Sequence, residues 1–92
     1  MTPDSTITIP KYVLSESLND ETVVLDMSSG MYFGLSPVAS RFWKLLSEGL
    51  TREKIQSILL NEFDVEPTVL AADLDALLAQ LEAKKLIQQP SN

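Results

Sequence analysis

The first third of the chain has the two-residue periodicity of β-strands. Three β-branched or aromatic runs, at residues 12–18, 21–27 and 31–35, are separated by turn signals at residues 19–20 and 28–30. Ahead of them, the alternating stretch TITI is interrupted by Pro10. This pattern predicts a three-stranded antiparallel sheet over residues 6–35, with a short N-terminal addition.

From Ser36 the periodicity becomes helical. Ser36 is a favourable N-cap with Pro37 at the first helical position, Thr51 can cap a second helix, and Pro67 can open a third. These starts predict helices of about 12, 12 and 18 residues. Each carries one apolar stripe: Val38, Phe42, Leu45 and Leu46; Ile55, Ile58, Leu59 and Phe63; and Leu70, Leu74, Leu77, Leu78 and Leu81.

Strands followed by three helices over residues 36–87 predict an α+β fold that resembles a winged helix-turn-helix. A length of 92 residues fits one domain over residues 1–92. Lys84 and Lys85 suit the last turn of the long helix, where cations interact favourably with the helix dipole. The final residues, 88–92, read as a frayed tail.

Composition argues against catalysis. The chain has no cysteine and no histidine, which excludes thiol nucleophiles, Cys/His zinc sites and a serine–histidine triad. Asp73 and Asp75 lie two apart on a helix and do not face each other, and neither Gly30 nor Gly34 belongs to a phosphate-binding loop. We therefore expect no enzyme activity, no cofactor and no metal.

Charge and hydropathy limit the partners and the compartment. The net charge of −6, and the acids Glu66, Asp73 and Asp75 on the third helix, disfavour nucleic acid and anionic membranes. A small basic spot at Arg41, Lys44, Arg52 and Lys54 is more typical of a solvated face. The N-terminus lacks a signal peptide, and no apolar run reaches the roughly 20 residues of a membrane span. These features predict a cytoplasmic protein.

Peptide binding remains as a chemical possibility. The run MYFGL at residues 31–35 has neither proline nor charge, so it shows none of the devices that protect a sheet edge. At an edge, its free N–H and C=O groups could accept a peptide as an added strand, with the long helix as a wall and Asp73 facing a basic group. The alternative is a central or covered strand whose aromatic residues are ordinary core.

The ordered motifs resemble a known family. They are LD-x-x-x-G-x-YFGL, SPVA-x-R-x-W-x-LL, G-x-T-x-E-x-I, and FDV-x-P before DL-x-x-LL-x-x-L-x-x-x-x-LI, and they cover residues 22–87. This series resembles the leader-peptide recognition domains (RiPP recognition elements) typified by the pyrroloquinoline quinone biosynthesis peptide chaperone. The stand-alone members of lasso peptide biosynthesis are the most similar.

The resemblance implies a non-catalytic domain that binds the leader of a ribosomally made precursor peptide. The leader would add beside the third strand and pack against the third helix, and the domain would hand the precursor to a separate cysteine-protease-like leader peptidase. The strand at residues 22–26 is the alternative edge. The candidate peptide-binding residues are Met31, Tyr32, Phe33, Gly34, Leu35, Val69, Ala72, Asp73 and Ala76.

Two other functions stay open from sequence. One is the related chaperone of quinone-cofactor synthesis, whose partner would be a radical enzyme. The other is an acidic winged-helix DNA-binding regulator, which the charge distribution disfavours.

Overall fold

The computed structural model describes residues 7–19 and 21–88. Its elements follow the chain as three strands and then three helices: β1 (Val13–Leu18), β2 (Glu21–Asp26), β3 (Met31–Leu35), α1 (Pro37–Ser47), α2 (Arg52–Glu62) and α3 (Pro67–Ala83). The strands form one antiparallel sheet in the order β1-β2-β3. The predicted α+β fold, with a three-stranded sheet followed by three helices, is confirmed.

The β2–β3 turn is fixed by a short polar network. The Asp26 carboxylate accepts hydrogen bonds from the Ser28 backbone N–H at 2.9 Å and from the Ser28 hydroxyl at 2.7 Å. These bonds, the hydroxyl first, hold the pKa of Asp26 below its ordinary value. Gly30 adopts a φ of 77°, and its N–H donates to the Asp26 carbonyl at 2.7 Å. The predicted glycine turn therefore sets where β3 begins.

The three helices begin at the positions that local chemistry predicts. The Ser36 hydroxyl accepts from the Ala39 N–H, and the Thr51 hydroxyl accepts from the Lys54 N–H, both at 3.3 Å. Pro67 opens α3, where its missing N–H leaves no helical hydrogen bond unmade. Helix α1 packs against β2 and β3, and Thr22, Val24 and Asp26 of β2 are buried.

The core joins the inner face of the sheet to the apolar stripes of the helices. Its largest fully buried side chains are Phe42, Ile55, Leu59, Leu70, Leu74, Leu86, Ile87 and Val24. Within the described ranges, none of the helices combines the length and the hydropathy that crossing a membrane would require.

The segment before β1 and the segment after α3 are fastened together, an arrangement that we call the terminal clasp (residues 7–12 and 85–88). Thr8 and Gln88 exchange backbone hydrogen bonds of 2.9 and 2.8 Å, and the Tyr12 hydroxyl donates to the Lys85 carbonyl at 2.9 Å. The N-terminal addition therefore pairs with the C-terminal segment rather than with the sheet. Gln88, expected in the frayed tail, is hydrogen-bonded, and residues 89–92 lie outside the described residues.

Candidate functional site

Strand β3 lies at an edge of the sheet. It pairs with β2 through Val24–Phe33 and Leu25–Tyr32, and no strand of the described residues pairs with its other side. The question left open by sequence is answered, because residues 31–35 form an edge strand and not a central one. Strand β2 pairs on both sides, so it is excluded as the receiving edge.

The side chains of β3 alternate between the two faces of the sheet. Phe33 and Leu35 are half-buried against the core, whereas Tyr32 is 70% exposed on the opposite face. Gly34 shares the face of Tyr32 and leaves open space where a side chain would stand. A strand added beside β3 would thus contact apolar side chains on the helical side, and the exposed Tyr32 ring next to the bare Gly34 on the other.

A groove runs between β3 and α3. Near β3 it holds a cavity of about 360 Å³, lined by Tyr32, Phe33, Gly34, Leu35, Leu77, Gln80, Leu81, Lys84 and Leu86. Leu77 and Gln80 also line the next cavity along the helix. The two cavities therefore adjoin, and we call the trough that they form together the β3–α3 groove.

The second part of the groove lies between α3 and the start of α1. This cavity of about 390 Å³ is lined by Ser36, Val38, Ala39, Phe63, Val65, Leu70, Asp73, Leu74, Ala76, Leu77 and Gln80. Most of these side chains are apolar, so the trough suits leucine- or aromatic-sized side chains of an extended segment.

Each of the two cavities of the groove is lined by one charged residue. Asp73 is the charged residue among those that line the α1 end, and Lys84 is its counterpart at the β3 end. The Lys84 ammonium stands 5.5 Å from the centroid of the Phe33 ring, which is cation–π distance. Both side chains are exposed, and no ion pair joins either to another described residue.

Four charged side chains outside the groove are engaged in ion pairs. Arg52 pairs with Asp75 at 2.6 Å, and Arg41 forms a two-pronged ion pair with Glu62 at 2.7 and 2.8 Å. That pair lowers the pKa of Glu62 and raises the pKa of Arg41, in each case chiefly through the hydrogen bonds between them. Asp75 therefore faces α2, and of the two aspartates only Asp73 faces the groove.

Six of the nine predicted peptide-binding residues line the groove: Tyr32, Phe33, Gly34, Leu35, Asp73 and Ala76. Met31, Val69 and Ala72 are exposed and line neither cavity. The sequence reasoning missed Leu77, Gln80 and Lys84, which link or end the trough. The sequence pattern places Leu77 in the core stripe of α3, and Lys84 in its last turn, near the helix dipole. Their i, i+3 and i+7 spacing on one helix face was the available signal.

The chemistry of the site is that of binding. In the part of the chain that the structure describes, no group of three or more His, Cys, Asp or Glu side chains could hold a metal ion. What the arrangement offers is a row of backbone groups, an apolar trough and two opposite charges. These features can hold an extended peptide.

Comparison with known proteins agrees with this geometry. The model of one protein family, coenzyme PQQ synthesis protein D (PqqD), matches residues 21–87. The chain belongs to the PqqD family. The resemblance inferred from the hairpin and helix motifs is thereby confirmed. No curated protein matches the sequence.

Two solved structures are similar to this PqqD-family chain. One is described as TbiB1 in complex with the TbiA(beta) leader peptide, with 35% sequence identity and a TM-score of 0.86 over 92% of this chain and 99% of that one. The other is lasso peptide synthetase B1 complexed with the leader peptide, with 23% identity and a TM-score of 0.82 over 91% and 99%. At its lower identity, the second likeness bears on the fold alone.

Proposed function

We propose that this chain binds the leader of a ribosomally made precursor peptide, in the first instance a lasso peptide precursor, as a fourth strand beside β3. The observation that carries the proposal is the unpaired edge of β3 beside an apolar groove. A protein of 35% identity and the same fold is described in complex with a leader peptide, which supports it.

The other sheet edge fits a peptide less well. Strand β1 carries Glu16 on its exposed face, and a charged side chain on an edge strand discourages strand addition. The cavity beside β1 is lined by residues 7–11 of the terminal clasp, so that side of the sheet already has a neighbour from its own chain. Strand β3 has no such neighbour among the described residues, and its apolar trough lies alongside.

The proposed role is non-catalytic and takes place in the cytoplasm, where a newly translated peptide is available. Strand addition leaves the precursor's remaining residues free, so a separate cysteine-protease-like leader peptidase can act on the bound complex. No cofactor takes part in this role. The family description favours a second candidate, the peptide chaperone of quinone-cofactor synthesis working with a radical enzyme. Both candidates use the same groove and differ in the precursor.

The test is an amide-resonance titration of the labelled protein with the TbiA(beta) leader as a probe. We expect shifts concentrated at residues 31–35 and 73–84, because these residues flank the groove. A leader carrying backbone N-methyl groups on the side that faces β3 should bind much more weakly, since it cannot complete the strand pairing. Resonances that stay unmoved with the probe, and with a quinone-pathway precursor, would refute the proposal.

A gel shift with double-stranded DNA at low salt tests the disfavoured regulator. We expect no complex, because the groove helix carries Asp73 and Asp75 and the chain has a net charge of −6. Binding of DNA that weakens steeply with salt would support the regulator instead.

A further inference from the structure

The charges at the two ends of the β3–α3 groove have a fixed order relative to β3. Lys84 lies against Phe33, whereas Asp73 lines the cavity that begins at Ser36, just after β3 ends. Helix α3 therefore runs opposite to β3, with its basic residue beside the strand and its acidic residue beyond the strand's carboxyl end. The groove is electrically polar along its length.

Antiparallel pairing with β3 fixes the direction in which an added strand passes the two charges of the groove. Antiparallel ladders are slightly more stable per residue than parallel ones, and both existing pairs of this sheet are antiparallel. A strand antiparallel to β3 passes Asp73 first and Lys84 later. Its earlier residues thus meet a negative charge and its later residues a positive one.

The spacing follows from helix and strand geometry. Asp73 and Lys84 are eleven positions apart in the sequence, which is about three helical turns, so they lie on the same face of α3. Their separation along the axis is roughly 16 Å, which a strand covers in about five residues. Because side chains on one face of a strand recur every second residue, the matching offsets are about four or six.

We infer that the groove selects leaders carrying Lys or Arg about four or six residues before Asp or Glu, with both side chains facing α3. This inference rests on the proposed function and adds the charge pattern of its substrate. Two ion pairs near the groove, Arg41–Glu62 and Arg52–Asp75, are formed within the chain, so these four side chains do not contribute to the charge order.

The experiment is a selection from a displayed library of twelve-residue peptides. The peptides share an alternating apolar frame and vary among Lys, Glu and Gln at the positions facing α3. On the wild-type protein we expect enrichment of the basic-before-acidic order. On the Asp73→Lys/Lys84→Glu variant, which keeps the net charge, we expect the acidic-before-basic order.

Titration of one selected peptide and its charge-swapped isomer then measures the effect. Exposed ion pairs contribute modestly, so we expect roughly two- to fivefold for each matched contact and about tenfold between the two orders. The preference should shrink at about 0.5 M salt because screening acts over a few ångströms there. The matched control is Glu16→Lys/Lys54→Glu, which makes the same exchange on exposed sites outside the groove and should keep the wild-type preference.

The possible outcomes distinguish a failure of the charge-order inference from a failure of the proposed leader binding. Selected peptides that bind without any charge order, or with the acidic residue first on the wild type, overturn the inference and leave leader binding standing. If neither the library nor the TbiA(beta) leader binds at all, the proposed function fails and the inference fails with it. Inversion of the order on the groove variant alone supports both.

Discussion

Leu77 should decide whether a bound peptide lies against α3, because it lines both cavities of the β3–α3 groove. In the free protein it is half-buried, so a bound strand would cover what remains. Leu77→Ala removes roughly three methylene equivalents, worth about 2.4 kcal/mol when fully covered. Most of the side chain is already covered in the free protein, so about two thirds of that energy acts in folding and at most about one third in binding. The free energy of unfolding should fall by about 1.6 kcal/mol and the free energy of peptide binding by about 0.8 kcal/mol, a fourfold loss of affinity.

Two measurements separate these losses. Fluorescence anisotropy of a labelled TbiA(beta) leader reports affinity, and urea unfolding reports stability. The single tryptophan, Trp43, is only 2% exposed, so its intrinsic emission follows unfolding. The matched control is Leu78→Ala on the same helix, since Leu78 is 4% exposed and lines neither cavity.

The control variant should lose stability and keep its affinity for the leader. Leu78→Ala creates a core cavity and should lower the free energy of unfolding by about 2–5 kcal/mol, while the folded fraction binds the leader within about twofold of wild type. If Leu77→Ala also leaves affinity within that limit despite its lower stability, the peptide does not pack against α3. The groove would then be a surface feature without a role in binding.

Three further predictions concern the fold that presents the groove. Gly30→Ala should lower the free energy of unfolding by about 1 kcal/mol in urea, since an L-residue is strained at the φ of 77°, whereas Gly34→Ala meets open space and should cost less. Because the folded-state pKa of Asp26 is depressed, its contribution to stability is complete above its ordinary pKa and is lost as the pH falls below about 4. Asp26→Asn should therefore be less stable near neutral pH, and its unfolding midpoint should vary less between about pH 5 and 3. Tyr12→Phe removes the hydrogen bond to the Lys85 carbonyl, and thermal unfolding should show a loss of about 1 kcal/mol or less.

The starts of the three helices and the β2–β3 turn could be predicted from sequence, because they depend on local chemistry. Ser36, Thr51 and Pro67 each open a helix where capping rules place one, because a cap depends on residues within one turn of it. The turn at Gly30 was predictable for the same reason. The position of residues 31–35 in the sheet was not, because strand order depends on pairing across the whole fold.

The groove was only partly readable for a related reason. Leu77 belongs by spacing to the same stripe as Leu78, yet Leu78 is buried and lines neither cavity, whereas Leu77 lines both. A hydrophobic pattern shows that a position is apolar and does not show whether its own protein or a ligand covers it. Lys84 was placed at the helix end for its charge, and its contact with Phe33 depends on how α3 crosses the sheet.

The terminal clasp means that the recognisable part of this chain is shorter than its folding unit. The family match spans residues 21–87, so it leaves out β1 and residues 7–12 of the terminal clasp, including Thr8 and Tyr12. A polypeptide trimmed to that span would keep a two-stranded ribbon, which is marginally stable alone. It would also lack Thr8 and Tyr12, whose hydrogen bonds hold residues 85–88 and with them Leu86, which lines the groove. A fusion of this module to a different protein should therefore begin upstream of Ile7, so that residues 7–12 of the terminal clasp are kept with the groove that they support.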